Sequence, residues 1–309
     1  SAATVNDGNS GQNYAISYAS NNISTITPKA LTISGITAAD KVYDGTASAV
    51  LDTSLLQGNG LVAGDDVRVS ASGNFRNAGN TANDKNVGNA KTVQLSSSYS
   101  GADVDNYSIT GQASTTASIT PKALTISGIT AADKVYDGTA TAAVSTAGVT
   151  ASVLQANGMV AGDDVQVSAS GNFRNAGNTA NDKNVGNAKT VQLSSSYSGT
   201  DVGNYRITGQ ATTTASVTAR PLDVTGLVPN DKTYDGSTDA TLTGTAQISV
   251  FSNDDVSLQI GTAQFDNPAV GNLIPIATQG FKLNGADAKN YQLNQPAGMR
   301  ASITAIDLT

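Results

Sequence analysis

The sequence predicts an all-β protein built as a tandem array of three antiparallel sandwich modules. Three observations carry that reading. The stretch DKVYDGT stands at Asp40–Thr46 and Asp133–Thr139, and returns as DKTYDGS at Asp231–Ser237. Between these copies, apolar and polar residues alternate with a period of two, the mark of strands with one buried and one wet face. Clusters of Gly, Asn and Asp interrupt the alternation at short intervals, as turns do.

The repeats set the module length. Residues 26–47 are identical to 119–140, an offset of 93, and residues 69–101 are identical to 167–199, an offset of 98. The five-residue difference falls between Tyr136 and Gly162, so that segment is predicted to be a loop or irregular segment. A divergent third copy stays in frame. NDDV at Asn253–Val256 replaces GDDV at Gly64–Val67 and Gly162–Val165. VGN recurs at Val87, Val185 and Val270, and Asn-Tyr at Tyr107, Tyr205 and Tyr291. The predicted boundaries are 28–120, 121–218 and 219–309, with 1–27 as the tail of a preceding module. Beginning at Ser1 without Met, the chain reads as part of a longer array.

Within the first module the inward faces are Leu31 and Ile33, Val67 and Val69, Val93 and Leu95, Tyr107 and Ile109, and Ala117 and Ile119. Six or seven short strands at this spacing point to an immunoglobulin-like sandwich. The alternative is a β-grasp-like module in which Asp52–Gln57 forms one helical turn after an Asp cap. TASITPKALTI runs from the last strand of one copy into the first of the next. Pro28 and Pro121 suit a strand edge, not a central strand. Short Pro-containing junctions predict an extended rod.

Composition narrows the function. The 309 residues contain no Cys, no His and no Trp. All 24 acidic residues are Asp, a residue of turns and caps. The net charge is −7, with Lys and Arg scattered. A nucleic-acid binder would show a basic face, so that partner is not expected. No apolar run approaches the ~20 residues of a membrane span, and direct membrane insertion is not expected either. Without His or Cys the usual general bases and thiol nucleophiles are missing, and the expectation is a non-enzyme.

The YDG turn comprises Tyr43, Asp44 and Gly45, then Tyr136, Asp137 and Gly138, then Tyr234, Asp235 and Gly236. Asp can accept from backbone amides two residues on, and Gly supplies a positive φ. The tyrosines are expected to bury their rings while the hydroxyl reaches a backbone group. The lysine two positions earlier (Lys41, Lys134, Lys232) shares their face. A sugar-stacking role is the alternative, with Tyr43, Tyr136, Tyr99 and Tyr197 as candidates. The Asp pairs Asp65-Asp66, Asp163-Asp164 and Asp254-Asp255 are candidate calcium ligands, since calcium takes carboxylate and carbonyl oxygens. Neighbours on a strand point to opposite faces, so such a pair cannot chelate together without a bend. Lys85 and Lys183, in NDKNVGN, are candidates for an isopeptide crosslink. No cofactor is otherwise expected.

The order KVYDGT, GDDV, a Phe-bearing strand (Phe75, Phe173, Phe265), KNVGN, NY and ITPKALT resembles the YDG/MBG-type repeat of large secreted bacterial adhesins of the filamentous haemagglutinin class. The match runs through all three copies. NPAVGN in the third lacks the Lys of KNVGN, and these departures read as surface changes. The resemblance implies two-partner secretion, a bacterial outer-membrane surface or extracellular location, and a part in adhesion or biofilm formation. It also implies neighbouring repeats of the same chain as partners, with the array acting as a stalk. Polysaccharide or host surface glycan is the alternative partner. The absence of Cys fits a chain that crosses the periplasm unfolded.

Overall fold

The computed structural model describes residues 5–20 and 24–307. The expected tail over 1–27 lies partly outside these, and among the described residues before Lys29 none lies in a strand. The protein is all-β, with three sandwich modules in tandem. It forms two compact units. One comprises Ser1–Lys41 and Thr46–Ile119; the other comprises Val42–Gly45 and Thr120–Thr309. The second unit thus holds two whole modules and, in addition, the Tyr-Asp-Gly loop at Val42–Gly45.

In the second module a five-stranded sheet has the order Lys134–Val135, Thr212–Thr218, Gly186–Ser198, Gln166–Phe173, Thr141–Ala142. Alternation decides what faces inward: Val191, Leu193, Ala215 and Val217 are buried, and Phe173 ends the row. Gly171 sits among them because a Cβ there would meet Val191 at 2.8 Å and Val144 at 3.0 Å. A second, smaller layer pairs Lys122–Thr125 with Tyr205–Thr208 and Thr130–Ala131 with Val144–Ser145. Leu124, Ile126 and Ile129 close the core from that side. The third module repeats this sheet with Lys232–Thr233, Met299–Thr304, Gly271–Gln279, Thr262–Phe265 and Asp239–Ala240. Its core is Ala263, Phe265, Ile274, Ile276, Ala301 and Ile303.

The first module, taken by itself, pairs Arg68–Phe75 with Gly88–Ser100 along eight registered residues, and Gly88–Ser100 with Ser114–Thr120. Lys29–Ser34 packs Leu31 and Ile33 against Tyr107, with Val67, Val69, Tyr99 and Ile109 around them.

Two expectations are corrected. The sandwich is not wholly antiparallel: Lys122–Thr125 runs parallel to Tyr205–Thr208, and Lys134–Val135 parallel to Thr212–Thr218. The module's opening strands lie beside its closing ones in the same direction, a pairing that alternation cannot reveal. Asp52–Gln57 is not helical. Asp52 accepts from Ser54 N at 2.8 Å and makes a turn, after which Gln57–Asn59 pairs as a strand with Lys29–Ser34. That removes the β-grasp alternative for this module. The segment of the second module that carries the extra five residues also holds a short helix, Ala151–Ala156, with Thr150 Oγ1 accepting from Val153 N; the helix stands at the place of Thr53–Gly58 in the first module.

Each module carries a bulge at its last long strand. The register slips between Gly186 and Lys189, and between Gly271 and Ile274. The residue within the slip takes a left-handed conformation: Ala188 has φ 45° and Leu273 φ 49°, and Ala90 in the first module has φ 47°. A side chain at such φ is strained, whereas glycine is not. Ala188→Gly is therefore expected to raise stability by about 0.5–1 kcal/mol after glycine's greater unfolded-state freedom is subtracted. The urea midpoint of the variant checks this.

Candidate functional site: a tyrosine–aspartate joint between modules

The Tyr-Asp-Gly turn is closed by its own lysine. Lys134 Nζ donates to Asp137 Oδ1 at 2.7 Å, to Thr139 O at 2.8 Å and to Thr141 O at 2.9 Å. Asp137 Oδ1 also accepts from Thr139 N at 2.9 Å, and Gly138 takes φ 78°. The ammonium lies 5.5 Å from the centroid of the Phe173 ring, a cation–π contact. Lys232 does the same with Asp235, Ser237 and Phe265, and Gly236 has φ 78°. In the first module Lys41 holds Thr46 O and Ser48 O, and Gly45 has φ 81°. The turn aims the tyrosine. Tyr136 N donates to Thr218 O at 2.8 Å, fixing the backbone to the module's last strand.

The ring then leaves its own module. Tyr136 is 0% exposed, and its hydroxyl donates to Asp254 Oδ2 of the next module at 2.8 Å. The expected backbone acceptor is thus a carboxylate instead. Tyr291 OH donates to the same oxygen at 2.7 Å and accepts from Phe251 N at 3.0 Å. The Tyr136 ring packs edge-on against Tyr291, centroids 5.5 Å apart, and against Phe251 at 5.9 Å. Edge-to-face pairs at this distance add to simple burial.

Lys183, from the loop Asn181–Asn187 of the second module, completes the joint. Its ammonium donates to Asp254 Oδ1, lies 3.5 Å from Asp287 Oδ1 and sits 5.8 Å from the Tyr136 centroid. Beside it, Val185 N donates to Asn290 Oδ1 at 2.9 Å, and Asn290 Nδ2 donates to Asn184 Oδ1 at 2.8 Å. Asn290 is fully buried. The single 3-10 turn Ala288–Asn290 places it, and Asp287 anchors that turn: Asp255 N donates to Asp287 Oδ2 and Asp287 N to Asp255 O, both at 3.1 Å.

Electrostatics follow from the enclosure. Burial pushes the Asp254 carboxyl up, but Lys183 and the two tyrosine hydroxyls outweigh it and hold it below its ordinary value of 3.8. Lys183 is pushed up, chiefly by its bond to Asp254. Tyr136 is raised by burial, with Asp254 adding to the rise and Lys183 opposing it. Tyr291 is pushed up to about 12, first by burial and then by Asp254. The site is therefore a shared carboxylate locked between one ammonium and two neutral phenols. Amide formation between Lys183 and Asp254 would need a neutral amine and a protonated acid, and these shifts oppose both.

The loop Val42–Gly45 repeats the arrangement within the same compact unit. Tyr43 is buried and donates to Asp163 Oδ2 at 2.8 Å. Tyr205 OH donates to that oxygen at 2.5 Å and accepts from Val160 N at 2.8 Å. The Tyr43 and Tyr205 centroids are 5.6 Å apart.

The Asp pairs divide their work. Asp65, Asp163 and Asp254 accept from the Asn-Tyr tyrosines Tyr107, Tyr205 and Tyr291. Asp66 pairs with Arg68, Asp164 accepts from Thr200 N and Gln166, and Asp255 accepts from Ala286 N. Among the described residues no group of three or more carboxylates gathers to hold a metal ion. Of the sugar-stacking candidates, Tyr43 and Tyr136 have no exposed face and are corrected to joint residues. Tyr99 and Tyr197 are half-buried over Gly111 and Gly209. Pro268, which is exposed, occupies the place of Lys183, which in the second module is a joint residue.

Sequence reasoning missed Asn184, Asn290 and Asp287 as joint residues. It also missed Lys189, which is buried against Asp182 at 2.6 Å and Asn184 O at 2.6 Å and braces the loop carrying Lys183. The available signal was that KNVGN, DDV and NY recur together with YDG.

The YDG domain family matches residues 27–117, 120–215 and 218–298. No curated protein matches. Among solved structures, the I9–I11 tandem of titin is 10% identical with a TM-score of 0.19, covering 89% of this chain and 100% of that one. The Escherichia coli adhesin FdeC is 13% identical with a TM-score of 0.20, covering 91% and 98%.

Proposed function

Because the chain belongs to the YDG domain family and holds three such modules in tandem, we propose that it is a structural stalk or spacer segment of a bacterial adhesin, displayed at the cell surface or secreted. The observation that carries this is where the repeated residues go. Tyr136, Lys183, Asp254, Asn290 and Tyr291 meet one another across a module boundary, with Tyr136 and Asn290 fully buried, and so present no site to solvent. A repeat whose most recurrent side chains join it to its neighbour is spacer material. The motif resemblance to filamentous haemagglutinin-class repeats supports the adhesin setting, two-partner export, and a part in adhesion or biofilm formation played by a binding region elsewhere in the polypeptide.

The test is binding by the isolated chain. On a glycan array and in pull-downs with exopolysaccharide, no saturable binding is expected. Binding that disappears in Tyr99→Ala or Tyr197→Ala, with the circular dichroism spectrum unchanged, would overturn the spacer reading and make the modules themselves the adhesive part.

A further inference from the structure

The chain has no Cys and no Trp, so its 10 tyrosines are, with 2 methionines, its most easily oxidised side chains. Two pairs of those tyrosines each converge on one carboxylate oxygen. Tyr136 OH and Tyr291 OH donate to Asp254 Oδ2 at 2.8 and 2.7 Å, from rings 5.5 Å apart between centroids and inclined at 74°. Tyr43 OH and Tyr205 OH donate to Asp163 Oδ2 at 2.8 and 2.5 Å, from rings 5.6 Å apart and inclined at 79°. All four rings are buried. The shared acceptor brings the carbons beside one hydroxyl toward those beside the other, out of reach of water and of other chains. A phenol hydrogen-bonded to a carboxylate also loses an electron more readily, because a positioned base takes its proton as the electron leaves.

We propose that these pairs are sites of oxidative coupling, where a one-electron oxidant joins Tyr136 to Tyr291, and Tyr43 to Tyr205, as dityrosine. The oxidant takes one electron from each phenol. Each phenol passes its proton to the shared aspartate, which releases the first to water before it receives the second. The two phenoxyl radicals carry spin on the carbons beside the oxygen, and a carbon–carbon bond forms there. The two hydrogens on those carbons then shift to the oxygens and restore both phenols. Two electrons and two protons have left, and nothing has been added. The product ties the second module to the third by a bond that needs no Cys. An opened joint holds the rings apart and does not couple. The inference rests on the geometry of the joint and is independent of the spacer reading.

The test oxidises the whole chain, kept dilute, with a photoactivated ruthenium complex and persulfate, which takes up the electrons as it becomes sulfate. Trypsin then releases Val135–Arg174 and Asn290–Arg300, each with a single tyrosine. The expected product is these two peptides joined with the loss of two hydrogens. It should be about tenfold more abundant than any product joining Tyr136 to another tyrosine, because positioned groups react as one molecule. Tyr14, Tyr18 and Tyr234, all exposed, supply the comparison. In urea above the unfolding midpoint the preference should vanish. A Tyr136–Tyr291 product no more abundant than Tyr136 joined to an exposed tyrosine overturns the proposal, as does a preference that persists in urea. Asp254→Asn keeps an acceptor but is a poor base, and should lower the yield about tenfold at equal fraction folded by circular dichroism. An unchanged yield overturns the role given to the carboxylate.

Discussion

Asp254→Ala is expected to destabilise the third module and its joint with the second by about 3 kcal/mol, the low end for removing one partner of a buried ion pair. The carboxylate is 1% exposed while Lys183 is 30% exposed, so water recovers part of the orphaned charge. Two tyrosine hydroxyls lose their acceptor at the same time. Asp254→Asn keeps an acceptor without the charge and should cost about half as much. Urea midpoints at unchanged slope measure both. Acid should act on the same group. The folded carboxyl sits below its ordinary value of 3.8, so its contribution is full above that value and is lost as pH falls through the lowered one. The joint should therefore weaken below about pH 4 in the native chain, and the acid limb should be shallower in Asp254→Asn.

Tyr136→Ala should cost about 3–5 kcal/mol, as for a fully buried aromatic ring, and Tyr136→Phe about 1 kcal/mol for the hydroxyl alone. The informative comparison is Tyr234→Ala. The two tyrosines occupy the same motif, with the same lysine clasp and the same backbone bond to the last strand. They differ in burial, 0% against 42%. An exposed ring away from any partner should change stability by no more than about 0.5 kcal/mol. If both variants lose the same amount, the tyrosine serves its own turn and the joint contributes nothing.

The fold was legible because its signals are local. Leu31, Ile33, Val93, Leu95, Ala117 and Ile119 lie on alternating positions, and all six are buried. The turn chemistry of Asp137 and Gly138 was legible for the same reason, since both act within three residues. What failed to show was everything that crosses a long stretch of chain. The acceptor of Tyr136 lies 118 residues away, and no spacing rule inside one module points to it. The parallel pairings of the opening strands are equally remote, because periodicity sets a residue's face and not its strand's neighbour. Ala151–Ala156 was concealed differently. Six residues with one buried leucine give too short a helical period to be distinguished from a loop.

The tyrosines of two successive modules give their hydroxyls to one oxygen of a single aspartate, and nothing covalent holds that meeting. Under tension the Tyr136 and Lys183 bonds to Asp254 can part while the cores of both modules remain whole, because the joint uses none of their sheet ladders. The released carboxylate and ammonium are then well solvated, and the opened joint has no irreversible chemistry to undergo. When load falls, the Lys134 clasp still holds the turn that aims the Tyr136 ring, so closure repeats the original geometry. The boundary between the second and third modules would thus act as a renewable mechanical fuse, expected to yield before the modules unfold and to reset without repair.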